Sequence, residues 1–304
     1  MTVFGEPPVA PEDRPSEQTE AALSCGPSLE PAAPIGGAQE RSPHPVSAVA
    51  ADDLGISWSW PHFLVFLSFG FFSLVLVQGF LAVAYAPHQK LSPKQMEAYL
   101  LSKPQFAIGS MLLWYALLFF FLYVTLSLLR GLSFWRTLGW RRIEARKGEL
   151  PSNPLLYFLS GSGLSLLVAF LSARMKSPEN LPMEELFKYR QTALLFLAMA
   201  VFVAPLVEET LFRGYLYPLF ARSFGVAPGI LLTGLLFGLM HGAQLGWTWS
   251  LVSILIFVGV IFTIVRARTG TVFASYLMHL GYNSMISIFA ILGTHGFRRL
   301  PAPH

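Results

Sequence analysis

The sequence predicts an all-α protein, a polytopic bundle of about seven to eight transmembrane helices. Hydrophobic residues make up 54% of the 304 positions, and only 12% of the residues are charged. Soluble domains carry roughly 25% charged residues, so this composition excludes an ordinary soluble protein. Several apolar runs also reach the roughly 18 residues that cross a bilayer as a helix.

The first 54 residues differ in composition from the rest of the chain. They are rich in Pro, Ala, Glu and Ser and contain almost no aromatic residue. Such a segment buries too little apolar surface to offset its ordering entropy, so residues 1–54 are predicted to be a disordered tail and residues 55–304 the transmembrane domain. Cys25 is the single cysteine and follows no apolar run, so we expect a free thiol without a signal peptide.

Apolar runs place the spans, and the fifth run is short unless residues 227 and 242–245 extend it. In the third run, Gly161 and Gly163 suit close helix packing. In the fourth, Pro205 is expected to interrupt the helix. The runs cover residues 61–86, 106–129, 155–173, 192–220, 228–241, 249–265 and 272–292.

The most basic loop, residues 130–142, lies between the second and third spans. The positive-inside rule places it in the cytoplasm, and alternation then places the tail there too. Phe134, Trp135 and Leu138 share one side of a helical wheel, which is equally consistent with a short interfacial helix and a merely basic loop. The arginines at 298–299 fall outside, against the rule, so an eighth or re-entrant segment and a miscounted span are alternatives.

Ionisable side chains occur inside the predicted spans, where each charge costs roughly 2.5–3.5 kcal/mol. Counted at 1.5 Å per residue from the span ends, these groups reach similar depths in three separate helices. A functional site is the default interpretation, and a structural Glu–Arg pair is the alternative. The residues are Glu208, Glu209 and Arg213 in the fourth span, His241 in the fifth, and His279 and Asn283 in the seventh.

Helical geometry separates the two adjacent carboxylates. Side chains of neighbouring residues point about 100° apart, so Glu208 and Glu209 cannot face the same atom. Glu209 and Arg213 are spaced i, i+4 in the order that favours an ion pair, which leaves Glu208 as the freer carboxylate. The same spacing joins Phe237 to His241 and His279 to Asn283.

Other polar groups have no predicted partner at matching depth. The pair Glu184 and Glu185 is predicted to lie in a solvated turn. His62 stands at the mouth of the first span and is interpreted as an interfacial residue. His295 and His304 belong to the C-terminal end and are assigned no chemistry.

Three motifs occur in order: Glu208-Glu209-x-x-x-Arg213, Phe237-x-x-x-His241 and His279-x-x-x-Asn283. Together they resemble the CPBP/Abi family of intramembrane glutamic proteases, which includes the Rce-type CAAX prenyl endopeptidases and their bacterial relatives. The resemblance covers about residues 192–292. Residues 138–142 are also similar to a segment often found upstream in that family.

The resemblance implies a conical helical bundle with an interior catalytic cavity. Glu208 would act as general base on water, and His241 would help to orient that water. His279 and Asn283 would line the oxyanion site, with Glu209, Arg213 and Phe237 in support. The expected substrate is a membrane-associated, lipidated or C-terminally anchored protein or peptide, the expected surroundings are the lipid bilayer, and no nucleic acid is expected.

Two further questions concern cofactors and other functions. Two histidines and a glutamate can ligate zinc, but the His-Glu-x-x-His arrangement is absent, so no cofactor is expected and zinc is disfavoured. A proton-coupled transporter is an alternative, although no internal repeat is evident. A non-proteolytic maturation or immunity partner is another.

The Pro/Ala-rich tail and compact body suggest a bacterial inner (plasma) membrane with the tail cytoplasmic.

Overall fold

The computed structural model describes residues 55–85, 91–92, 95–96, 99–100, 103–144, 151–174, 187 and 189–297. All regular elements in these residues are helices and none is a strand, which confirms the predicted all-α class. The whole predicted tail, residues 1–54, lies outside the described residues. So do the turn at Glu184 and Glu185 and the residue His304.

The helices are α1 (Trp60–Ala84), α2 (Pro104–Leu122), α3 (Phe134–Thr137), α4 (Pro154–Ser172), α5 (Arg190–Phe202), α6 (Ala204–Glu208), α7 (Tyr217–Phe224), α8 (Val226–Met240), α9 (Trp249–Thr269) and α10 (Val272–Gly293). Two stretches of the described residues are π-helical. One, Tyr123–Leu128, continues α2, and the other, Glu209–Leu216, joins α6 to α7.

Local sequence explains where several helices begin and end. The Asn153 side chain accepts a hydrogen bond from the amide of Leu155 and thereby caps α4. Thr271 caps α10 in the same way, accepting from the amide of Phe273. The preceding helix ends at Gly270, whose left-handed backbone (φ 68°) is the conformation in which glycine commonly terminates helices.

Six helices among the described residues are long and apolar enough to cross a membrane, and they mark the chain as a multi-pass integral membrane protein. The predicted fifth span corresponds to α8, whose 15 residues extend only about 22 Å, less than the hydrocarbon core. Large apolar side chains also cover the outside of α1, with Leu76 71% and Val83 78% exposed. An exposed apolar surface of this kind is suited to contact with the lipid chains of a bilayer.

Helices α4 and α10 are in close contact, and this contact depends on glycine. A Cβ atom added to Gly161 would overlap the carbonyl oxygen of Met278, and one added to Gly281 would overlap that of Phe158. Gly163, which the sequence placed in the same role, has no neighbour that such a Cβ would meet. The prediction of close packing is therefore confirmed for Gly161 and wrong for Gly163, because the two residues point to different sides of α4.

We expect Gly161→Ala to lower the thermal melting temperature of the purified protein, since the new methyl group forces α4 away from α10. Overpacking of this kind typically costs about 1–3 kcal/mol. The matched control is Gly163→Ala, the same change two residues along the same helix, which is expected to melt like wild type. Equal melting temperatures for the two variants would contradict the contact.

The segment that was equally consistent with an interfacial helix and a basic loop forms a short helix with one side packed against the protein. Helix α3 is only four residues long, and Phe134 and Leu138 are buried in an aromatic cluster with Phe212 and Leu216 of the second π-helix. Trp135, by contrast, is 46% exposed. The apolar side of this helix faces protein because α2 and the second π-helix offer it an apolar surface, which a helical wheel alone cannot reveal.

His62, predicted to be interfacial and without partners, is half-buried and bonded on both ring nitrogens. Its Nδ1 lies 2.7 Å from the Tyr215 hydroxyl and its Nε2 lies 3.0 Å from Thr125 Oγ1. The Thr125 hydroxyl donates its proton to the carbonyl of Phe121, so it can only accept from His62. His62 therefore donates from Nε2 to Thr125, and the Tyr215 hydroxyl donates to Nδ1 of His62. This chain of hydrogen bonds links α1 to both π-helices, and its partners are too far apart in sequence to be recognised there.

Candidate active site

The two adjacent glutamates lie where the fourth predicted span changes its helical form. The helix breaks at Val203, with Pro205 in the first turn of α6, so the predicted interruption is confirmed. Glu208 is the last residue of α6, and Glu209 begins the π-helix. Such π segments occur frequently at functional sites. The prediction of a regular α-helix is therefore wrong after Glu208. The side chains of the two glutamates nevertheless point in different directions, as predicted.

Glu209 and Arg213 form the predicted ion pair. Arg213 Nη1 donates to Glu209 Oε1 over 2.9 Å, and neither side chain has any exposed surface. The rest of the guanidinium is also engaged: Nε donates to Thr263 Oγ1 and Nη2 to the carbonyl of Gly259, both on α9. Arg213 therefore contacts its own π-helix and α9 at the same time, and these hydrogen bonds tie the two elements together.

Aromatic rings complete the surroundings of Arg213. Its guanidinium carbon lies 4.4 Å from the centre of the Phe237 ring and 5.4 Å from that of Phe262. Desolvated cation–π contacts of this kind stabilise by about 2 kcal/mol. Phe237 is 2% exposed and its ring also contacts those of His241 and His279. It therefore packs between the arginine and both histidines.

His279 bridges the two glutamates. Its Nδ1 lies 3.0 Å from Glu209 Oε1 and, because a carboxylate paired with Arg213 accepts, Nδ1 carries the proton and donates. The other nitrogen, Nε2, points to Glu208 and lies 3.8 Å from its Oε2. The carboxylate of Glu209 thus sets both the orientation and the tautomer of His279.

His241 approaches Glu208 from the end of α8. Its Nδ1 donates to the carbonyl of Phe237 over 2.7 Å, one turn earlier on the same helix. Its Nε2 lies 3.9 Å from Glu208 Oε1. Glu208 therefore has a histidine Nε2 beside each of its oxygens, at distances longer than a direct hydrogen bond. The Glu208 side chain keeps 16% exposure and that of His241 keeps 21%.

Asn283 is turned differently from the other motif residues. Its amide nitrogen donates to the carbonyl of Ala200 over 2.7 Å, in the last turn of α5. Carbonyls at this end of a helix lack a full set of intrahelical donors, so the bond fastens α10 just before the break at Val203. The structure brings six of the seven predicted site residues into one cluster, and Asn283 is the exception because it bonds to α5. The six are Glu208, Glu209, Arg213, Phe237, His241 and His279.

Sequence reasoning missed Thr263, the carbonyl of Gly259, and Phe262. Thr263 and Gly259 hold Arg213, and the ring of Phe262 lies 4.8 Å from that of His279. A signal existed, because Gly259 and Thr263 are spaced i, i+4 in the middle of a span whose other polar residues lie toward its ends. A threonine within a helix commonly bonds to the carbonyl four residues earlier, as Thr263 does at Gly259. Its presence in the sequence therefore does not by itself indicate a contact with another helix.

These contacts define the class of the protein. It is a multi-pass helical membrane protein whose helices hold two glutamates, an arginine and two histidines together, and ionisable groups within spans mark functional sites. Residues 190–285 match the model of the family described as type II CAAX prenyl endopeptidase Rce1-like. That part of the chain is a domain of the Rce1-like CAAX prenyl endopeptidase family, which confirms the resemblance. The searches of curated proteins and of solved structures found no match.

Proposed function

We propose that this protein is an intramembrane endopeptidase in which Glu208 activates a water molecule. The observation that carries the proposal is the pair of histidine Nε2 atoms at 3.8 and 3.9 Å from the two oxygens of Glu208. Gaps longer than about 3.5 Å between polar groups are commonly bridged by water. Glu208 is also the less buried of the two carboxylates, and Glu209 is already committed to Arg213 and His279.

In the first step, Glu208 takes a proton from the bridging water as the water oxygen bonds to the carbonyl carbon of the scissile peptide. His241 supports this step because its Nδ1–H is held by the Phe237 carbonyl, so its neutral ring presents the Nε2 lone pair to a water proton. General-base catalysis of this kind contributes roughly 10²–10⁴-fold to the rate.

The negative charge that develops on the carbonyl oxygen needs donors. When doubly protonated, His279 donates from Nδ1 to Glu209 and offers Nε2–H to that oxygen. The proposed role of Asn283 is a second donor, through the amide hydrogen that is not used on Ala200. Donors set in advance at an oxyanion are commonly worth about 2.7–4 kcal/mol.

In the second step the tetrahedral intermediate collapses, the carbon–nitrogen bond breaks, and Glu208 returns its proton to the leaving amine. The products are a new carboxyl terminus and a new amino terminus, and the site is restored. We place this chemistry in an interior cavity around Glu208, which the limited exposure of Glu208 and His241 supports.

The proposed substrate is a membrane-associated or C-terminally anchored protein, with prenylated CAAX-type proteins as the class that the family description suggests. We also propose the orientation that the basic loop indicates, with that loop and the N-terminal tail in the cytoplasm of a bacterium.

The test is cleavage of internally quenched peptides, anchored either by a C-terminal farnesyl-Cys-aliphatic-aliphatic-X sequence or by an apolar helix, by protein purified into proteoliposomes. Fluorescence that rises with time, with two matching fragments in the mass spectrum, supports the proposal. Proton flux into the same liposomes without cleavage would favour a transporter instead.

We expect chelators such as EDTA and 1,10-phenanthroline to leave turnover unchanged, because the proposed water is activated by a carboxylate. In the part of the chain that the structure describes, no group of three or more His, Cys, Asp or Glu is placed to hold a metal ion. Stoichiometric zinc in the active protein, with turnover lost on stripping and restored by zinc, would contradict this mechanism.

A further inference from the structure

Trp140 is a partly buried tryptophan that contacts both helices carrying the proposed catalytic groups. Its indole N–H donates to the hydroxyl of Thr210, the residue after Glu209, over 3.1 Å. Its ring also lies 5.4 Å from that of Tyr276, which precedes His279 by nearly one turn of α10. Trp140 therefore bridges the helix that carries the two glutamates and the helix that carries His279.

The hydroxyl of Thr210 continues this contact to the other side of the glutamates. Thr210 has no exposed surface, and its hydroxyl donates to the carbonyl of Leu206 over 2.7 Å. Because the single proton of the hydroxyl is used there, its oxygen accepts from Trp140, whose indole nitrogen can only donate. This chain of two hydrogen bonds therefore holds the backbone both before Glu208 and after Glu209.

The backbone next to Trp140 contacts the same two helices. The amide of Val272, the first residue of α10, donates to the carbonyl of Gly139 over 2.9 Å. A Cβ atom added to Gly214 of the π-helix would lie only 2.7 Å from the carbonyl oxygen of Leu138. The missing side chain lets the π-helix pack directly on this segment. The segment is therefore held between the π-helix and the start of α10.

We propose that Trp140 is a positioning residue of the active site, acting through Thr210 on the position of Glu208. This inference rests on the proposed function, in which a water lies between the Glu208 carboxylate and the histidines. The indole acts on the backbone around the glutamates rather than on the reacting atoms. A misplacement of about 1 Å can cost about 10²-fold in rate. Trp140 lies outside residues 190–285, so the proposal extends the support of the site beyond the matched domain.

The experiment compares Trp140→Phe with wild type in proteoliposomes, using the quenched peptides described above. Phenylalanine removes the indole N–H but keeps an aromatic ring against Tyr276, so the melting temperature is expected to stay near wild type. We expect kcat to fall about 10-fold, because the glutamate is displaced from the water, while KM stays unchanged. The matched control is Trp135→Phe, the same change at a neighbouring ring that is 46% exposed, and it should retain wild-type kcat.

Variants of Thr210 show whether the effect is transmitted through the hydrogen bond. Thr210→Val removes the hydroxyl at nearly constant volume, so its kcat should fall at least as far as that of Trp140→Phe. Thr210→Ser keeps the hydroxyl and should have a kcat near wild type. Combining Thr210→Val with Trp140→Phe should lower kcat no further than Thr210→Val alone, since both changes break the same bond.

This inference is wrong, while the proposed function stands, if Trp140→Phe keeps the kcat of Trp135→Phe or loses activity only together with its melting temperature. It is also wrong if Thr210→Ser is as impaired as Thr210→Val, or if the two losses multiply in the double variant. If wild-type protein cleaves none of the peptides, the proposed function fails, and this inference with it.

Discussion

Glu208→Gln is expected to abolish peptide cleavage while the purified protein keeps a melting temperature near that of wild type. Glutamine preserves the volume of the side chain and its ability to hydrogen-bond, but it cannot take a proton from water. The loss of a general base typically costs roughly 10²–10⁴-fold in rate. Stability should hold because the histidine nitrogens nearest to Glu208 lie 3.8 and 3.9 Å from its oxygens, beyond direct hydrogen-bonding distance.

Turnover and thermal melting should be measured on the same preparation of Glu208→Gln, beside wild type. An inactive variant that also melts early would leave the base unproven, so His241→Gln provides a second measurement of the same water site. That variant keeps polarity at the end of α8 and is expected to be folded and strongly impaired. Wild-type turnover by Glu208→Gln would contradict the proposed base.

Glu209→Gln is expected to lose stability as well as activity. The variant leaves the guanidinium of Arg213 without its counter-charge at a site with no exposed surface. Removing one partner of a buried ion pair typically costs about 3–5 kcal/mol. It also weakens the hydrogen bond that orients His279, so cleavage should fall even in the protein that remains folded. Arg213→Gln should behave in the same way.

Thr263→Val is the graded control for this second prediction. It removes one neutral acceptor from Arg213 while keeping the ion pair, and a hydrogen bond to a charged group contributes about 1.5–3 kcal/mol. Melting temperatures should therefore fall in the order wild type, Thr263→Val, Glu209→Gln. If Glu209→Gln is stable but inactive and Glu208→Gln cleaves normally, the roles of the two glutamates are reversed.

The part of the site that depends on local spacing was predictable from the sequence. The pair of Glu209 and Arg213 follows from the i, i+4 rule, and the break near Pro205 follows from the missing amide proton of proline. The meeting of His241 and His279 near Glu208 also followed, because depth within a span can be counted from its ends. These inferences use only helix geometry and the thickness of the bilayer.

What depends on packing between distant segments was not predictable. The π-helix after Glu208 is stabilised by contacts with α3, α9 and the aromatic cluster, and no residue pattern within it announces that form. His279 shares Glu209 with Arg213 across 70 residues of sequence. Gly161 and Gly163 look equivalent in the sequence, yet only the first meets a neighbouring helix, since that depends on how α4 is rotated.

Mass spectrometry of the cleavage products formed in ¹⁸O-labelled water tests the central claim most directly. Purified wild-type protein in proteoliposomes is incubated with an anchored peptide, and Glu208→Gln is treated in parallel. The proposal predicts two fragments from wild type, with one ¹⁸O atom in the new carboxyl terminus, and no fragments from Glu208→Gln. Intact peptide after incubation with wild type, or the same labelled fragments at the same rate from Glu208→Gln, would contradict it.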